Sequence, residues 1–241
     1  MGGGTRRTQL SAPRAFAYKN LFRFEPKTDI IISNLMNITK KQNTTKLSLP
    51  FNREWFVFWG GDTKRQNIHH DTPNQKFAFD FVVVDSSGRS HRGNGRKNED
   101  YFCYGKEIFA PTDGKVIEVI DGVRENKPRS MNPYSAVGNA VVIEHSNQEI
   151  SIFAHLKLGS IRVKVGEKVK TGHPIGLCGN SGNSSEPHLH YHLQDNPIIQ
   201  DGKGIKCFFQ KAIVSKNGKQ SLKEKHSPIK GEIISSANNL I

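Results

Sequence analysis

From "REWFVFWGGD" at residue 53 onward the chain never runs far without a turn residue. Its apolar residues fall into short β-branched and aromatic runs: "KFAFDFVVVD", "KVIEVIDG", "NAVVIEH", "EISIFAHL", "IRVKVGEKV", "HPIGLCG" and "PHLHYHLQD". Each is cut off by Gly, Asn, Asp or Pro, and runs of this length and makeup form strands. No helical period is visible between residues 77 and 195. The expected fold is therefore mostly β, with antiparallel sheets in a compact sandwich- or barrel-like core and few helices. "AVVIEH" and "ISIFAHL", flanking the polar "SNQE", read as a hairpin.

The rest of the 241 residues is more polar. Residues 1–17 read as a flexible basic tail, and 18–54 as an extension packed on the core, with "DIIISNLMNI" as a strand or short helix. Residues 213–241 read as a basic C-terminal extension whose "KGEIISSANNLI" would add an edge strand or fray. The polar stretch 86–107 is expected to be a surface excursion between strands. Cys103, Cys178 and Cys207 are far apart and form no CxxC, so they are expected to be free or buried thiols. No apolar run is long enough to span a bilayer, and the opening residues hold none of signal-peptide length.

"SSEPHLHYHLQDN" sets His188, His190 and His192 at alternate positions. In a strand these project to one face while Leu189, Tyr191 and Leu193 pack behind them. Neutral imidazole is a common zinc ligand, so one strand can supply a ligand and a proton carrier side by side. Upstream, "NIHHDTPNQKFAFDFVVVD" offers His69, His70 and Asp80. The alternation of "FAFDF" puts Asp80 on the face opposite Phe79 and Phe81, where a carboxylate in an apolar strand needs a cation or donors. That cation could be a metal or one of the many lysines. His155 ends the run "SIFAHL".

Together, "FAHL", "APTDGKVIEVIDG" and "VGEKVKTGHPIGLCGNSGNSSEPHLHYHL" resemble the lysostaphin-type (LytM-type) zinc metallopeptidases, which cut peptide crosslinks in bacterial peptidoglycan. The resemblance covers roughly residues 55–212, which it marks as a metallopeptidase domain. It implies zinc as cofactor, His190 and Asp80 as ligands, and His155 and His188 as catalytic histidines. In the common form of the family three residues separate the first histidine from the aspartate. The longer spacing here is similar to a subset with the pattern NxH…QxxAxD, matched by Asn67, His69, Gln75, Ala78 and Asp80. That alignment favours His69 over His70 as the remaining ligand. The family does not require a histidine at 192, which reads as a tolerated polar residue or a donor behind the ligands. His91, His145 and His173 have no matched role.

Two histidines and one carboxylate leave zinc an open position for water, as in catalytic sites. The expected activity is hydrolysis of amide bonds in peptidoglycan stems or crosslinks, with a catalytically silent wall-binding module of the same type as the alternative. A net charge of +13 suits anionic wall polymers. Nucleic acid is disfavoured, because the aromatics fall inside apolar strand runs and form no stacking pattern. The resemblance implies a cell-envelope or secreted protein, which would require a missing or unconventional export signal. The turn "GNSGNSSEP" and the 86–107 stretch are expected to flank the cleft.

Overall fold

A computed structural model describes residues 1–2 and 42–237. The alternating runs become strands β1 (Trp55–Trp59), β2 (Phe79–Val82), β3 (Glu107–Phe109), β4 (Gly114–Ile120), β5 (Asn139–Glu144), β6 (Ile150–Leu156), β7 (Lys168–Val169), β8 (Pro174–Leu177), β9 (Leu189–Gln194), β10 (Gly204–Ile205), β11 (Phe209–Lys216), β12 (Lys219–His226) and β13 (Ile233–Ser236). Eleven form one sheet in the order β12-β11-β13-β1-β2-β9-β6-β5-β4-β7, with β10 paired to β9. β3 and β8 form a separate ribbon. All strand pairs are antiparallel. The expected β5–β6 hairpin is present, turning through Ser146–Gln148, and the helical segments among the described residues are short 3-10 turns.

The period of two decides which face each side chain serves. Phe79 and Phe81 of β2, Phe153 of β6 and Leu189, Tyr191 and Leu193 of β9 point into the main core. Ile108 of the ribbon's β3 and Ile175 of its β8 join that core, as do Leu47, Leu49 and Phe51 ahead of β1, so both cover one face of the sheet. The other face carries a smaller apolar cluster of Val142, Ile150, Ile152 and Ile199. Beside it, on β2 and β9, stand Asp80, His190 and His192.

The described part of the 18–54 extension is part of this core, and Glu149 fixes it. Its fully buried carboxylate accepts hydrogen bonds from Thr44 N, Thr44 Oγ1 and Thr45 N at 2.7, 2.8 and 3.0 Å. Glu149→Ala leaves the buried Thr45 N–H without its partner, whereas the exposed Thr44 can turn to water. An unsatisfied buried group costs about 1–3 kcal/mol, which for a chain of this size lowers the midpoint by about 2–12 °C. Thermal denaturation checks it.

The C-terminal region departs from expectation. The boundary between residues 212 and 213 falls inside β11, and β13 is not an edge strand but lies between β11 and β1. β13 is interior because Ile234 is fully buried and pairs with both Trp55 and Val214. The edge at this end of the sheet is β12, "KQSLKEKH", exposed along nearly its whole length. Its lysines discourage pairing with another chain. Residues 3–17 of the expected tail and the element at "DIIISNLMNI" lie outside the described residues. No helix among the described residues is long and apolar enough to cross a membrane. All three cysteines are buried free thiols.

Candidate active site

Register assembles the site. Asp80 of β2 and Ala154 of β6 both pair with His190 of β9, so three neighbouring strands bring their side chains to one point. His190 Nδ1 lies 2.9 Å from Asp80 Oδ1. His69 enters from the 3-10 turn Ile68–Asp71, and its Nε2 lies 3.0 Å from Asp80 Oδ2. That turn is set by Asn67, fully buried, whose Oδ1 accepts from His69 N–H at 3.0 Å. Its amide nitrogen donates to the carbonyls of Gly61, Lys76 and Ala78, tying the insert on both sides. His70 points elsewhere and contacts Asp71 Oδ1 at 3.0 Å.

His155 arrives by a different route. Leu156 lies opposite Asn139 while Phe153 lies opposite Val141, so β6 carries one extra residue over this span. Such a bulge re-aims a side chain. Unbroken alternation would send His155 toward the core with Phe153; instead Leu156 takes the core position and His155, at φ +62°, turns to the site. Its ring centroid is 4.8 Å from that of His188 and 5.7 Å from that of His190. His188 sits just before β9 in an isolated bridge to Gly179.

Both of these imidazoles are oriented by carbonyl oxygens. His155 Nδ1–H donates to Ser181 O at 2.8 Å, and His188 Nδ1–H donates to Glu186 O at 2.8 Å. A carbonyl only accepts, so each neutral ring is left with an unprotonated Nε2. The Ser181 carbonyl can reach His155 because two glycines let backbones touch. A Cβ on Gly138 (φ +62°) would come within 2.5 Å of Ser181 O, and one on Gly182 (φ +74°) within 2.4 Å of Gly138 N.

The electrostatics follow from burial and from Asp80. Burial works against ionisation of Asp80, but the charges of His69 and His188 and the close ring nitrogens of His190 and His69 outweigh it and hold the carboxyl well below the usual range. Burial lowers the basicity of His190. Burial, then the charges of His188 and His190, push His155 well below the ordinary histidine value. For His69 burial is outweighed by attraction to Asp80, which raises it. Asp80 is thus an ionised carboxylate in the interior whose charged partners among the described residues are histidines, with no lysine or arginine paired to it.

Such a carboxylate calls for a cation. His69, Asp80 and His190 offer ligand atoms all within 4.8 Å of one another, and nitrogen and carboxylate oxygen are ordinary zinc donors. The donor set fits the metal. The site is reached from one side, since the His69 and His188 side chains are 20% and 13% exposed against 4% for His190.

Of the other histidines, His145 is buried and bonded to Asp113 O and Ser151 Oγ, His91 lies against Tyr101, and His173 lies 3.6 Å from Glu167, all outside the cluster. His192 lies behind His190, buried and in direct contact with it, 3.0 Å between ring nitrogens. The 86–107 stretch is anchored beside the turn before His188. Tyr101 and Cys103 are buried, Cys103 Sγ donates to Pro187 O at 3.0 Å, and Asn180 Nδ2 donates to Asn98 Oδ1 at 3.0 Å. A groove of ≈ 960 Å³ is lined among others by Thr72, Gln75, Ile117, Val137, Ile198 and Ile199, and by none of the cluster's own residues. It is tied to the site through the Val137 carbonyl, which accepts from His155 N–H at 2.8 Å.

Residues 96–202 match the model of peptidase family M23. An uncharacterized metalloprotease of Buchnera aphidicola subsp. Baizongia pistaciae is 28% identical over 205 residues, covering 81% of this chain and 52% of that protein. Peptidoglycan DD-endopeptidase ShyC of Vibrio cholerae is 32% identical over 160 residues, 55% of this chain and 36% of that one. The catalytic domain of lysostaphin from Staphylococcus simulans is similar in structure with a TM-score of 0.37 and 19% identity, over 64% of this chain and 88% of that domain. The chain thus spans about half or less of the length of these two curated relatives.

Proposed function

We propose that the chain, whose residues 96–202 match the model of peptidase family M23, is a zinc-dependent endopeptidase that hydrolyses amide bonds in the peptide stems or crosslinks of peptidoglycan. One observation supports this most: His69 Nε2, an Asp80 oxygen and His190 Nδ1 converge, with His155 and His188 beside them and not among the converging atoms. In this reading His69, Asp80 and His190 hold zinc, which when bound supplies Lewis acidity toward the scissile carbonyl and toward water. His155 and His188 carry the protons.

Each presents an unprotonated Nε2 because its Nδ1–H is committed to a backbone carbonyl. An Nε2 of this kind accepts the proton of the attacking water and becomes an N–H donor, able to steady negative charge on the substrate oxygen and then protonate the leaving nitrogen. His155 is suited to giving its proton up again, since burial disfavours its charged form. The bulge and the Ser181 carbonyl hold its ring in one orientation, which spares the reaction the cost of finding that geometry.

The groove that shares Val137 with the surroundings of His155 offers an extended peptide an apolar surface of Ile117, Val137 and Ile199. Peptidoglycan as the substrate draws on the likeness to the peptidoglycan DD-endopeptidase ShyC, which is 32% identical where the two align. A charge of +13 suits anionic wall polymers at a cell-envelope or extracellular site.

The His69 assignment is tested by the zinc content of purified variants. His69→Ala is expected to lose the metal, and His70→Ala to retain about one equivalent, the occupancy of a single catalytic site. Zinc lost from His70→Ala and kept by His69→Ala would reverse the assignment.

A further inference from the structure

The face of β9 that carries His190 continues into two residues with no part in the chemistry above, His192 and Gln194. His190 Nε2 lies 3.0 Å from His192 Nδ1, and His192 Nε2 lies 3.1 Å from Gln194 Oε1. Their exposures are 1% and 0%, so water does not complete their hydrogen bonds. The far end of this chain of contacts has a fixed direction. The other side-chain amide atom of Gln194 lies 2.6 Å from Asn196 O and 3.2 Å from Ile198 O. Carbonyl oxygens only accept, so that atom is the NH2 nitrogen and Oε1 is an acceptor. Gly202 presses on the amide: a Cβ there would come within 2.5 Å of it.

The direction propagates. Oε1 takes the proton of His192 Nε2–H, and a neutral imidazole has only one N–H, so His192 Nδ1 is an acceptor. It accepts from His190 Nε2–H, which leaves His190 Nδ1 with a lone pair. That lone pair faces Asp80 Oδ1 at 2.9 Å, and Asp80 is itself an acceptor. Two acceptors at this distance are satisfied by a cation held between them.

We propose that His192 and Gln194 are positioning residues: a relay that locks His190 in the tautomer with unprotonated Nδ1 and so readies the metal site before metal arrives. This rests on the assignment of His190 and Asp80 as ligands. Groups that orient metal-bound histidines are typically worth about 10–100-fold in metal affinity.

The test uses the full chain and two readings, zinc affinity by competition with a chromophoric chelator and the His190 tautomer by ¹⁵N NMR of the metal-free protein. In wild type the His190 proton is expected on Nε2. In His192→Leu, which offers no acceptor, it moves to Nδ1 to bond Asp80, and zinc binding weakens by about 10–100-fold. His192→Asn, whose side-chain oxygen can still accept from Nε2–H, recovers most of the affinity and the wild-type tautomer. Should His192→Leu fail to fold, Gln194→Met, which removes the acceptor that orients His192, is read in the same way. A folded His192→Leu that binds zinc as tightly as wild type, or a metal-free wild type with its His190 proton on Nδ1, would overturn the relay. Wild type that takes up no zinc at all would instead sink the ligand assignment, and the relay with it.

Discussion

Asp80→Ala is expected to yield a folded protein that holds no zinc and has lost nearly all hydrolytic activity. Asp80 is the one carboxylate in the cluster and touches both candidate histidine ligands, at 3.0 and 2.9 Å. Without it two imidazoles remain, too few to fill a catalytic zinc site. The Lewis acid contributes several kcal/mol to the transition state, and at about 1.4 kcal/mol per decade the rate falls by about three orders of magnitude or more. The fold should survive, because Phe79 and Phe81, which flank Asp80, supply the core packing of β2. Zinc content, circular dichroism and rate on one preparation check all three statements. An active, zinc-loaded Asp80→Ala protein would remove the residue from the site.

His188→Ala separates proton transfer from metal binding. Its ring is not among the atoms that converge as ligands, and its Nε2 lies 3.7 Å from Asp80 Oδ1. The turn that carries it keeps its own bonds after truncation, since Ser184 Oγ lies 2.7 Å from Asn180 Oδ1 and 2.9 Å from Glu186 O. Zinc should stay at about one equivalent, while turnover falls by about 10²–10⁴, the usual worth of a positioned acid or base. Loss of zinc equal to that in Asp80→Ala would make His188 a ligand. Undiminished turnover would remove it from the chemistry.

How far the sequence discloses this arrangement depends on which structural rule places each residue. Asp80 and His190 are legible because both sit in unbroken alternation, and the residues on either side, Phe79, Phe81, Leu189 and Tyr191, mark the core face. His155 is legible as a candidate through "FAHL" but not in its orientation, because a one-residue bulge reverses the facing that alternation predicts. The choice between His69 and His70 turns on Asn67, whose buried side chain shapes the 3-10 turn through contacts up to 11 residues away. Neighbouring positions in a turn have no periodicity to tell them apart.

His192 is legible only in part. Its place on the histidine face is plain from spacing, but its worth depends on what lies beyond, a glutamine pinned by two backbone carbonyls and by Gly202. The C-terminal residues look like an appendage because β12 is polar apart from the exposed Leu222, whereas the apolar side chain that places β13 in the sheet interior is Ile234 alone among its fully buried positions. The 86–107 stretch reads as polar surface, and only the burial of Tyr101 and Cys103 reveals that it is anchored against the turn before His188.

The most direct test of a zinc endopeptidase acting on the wall is to incubate the purified, zinc-loaded protein with purified peptidoglycan and measure newly freed amino groups. They should accumulate, stop when a zinc chelator is added, and resume when zinc is returned. Zinc-loaded protein that frees no amino groups from peptidoglycan would contradict the proposed activity and leave a wall-binding module in its place.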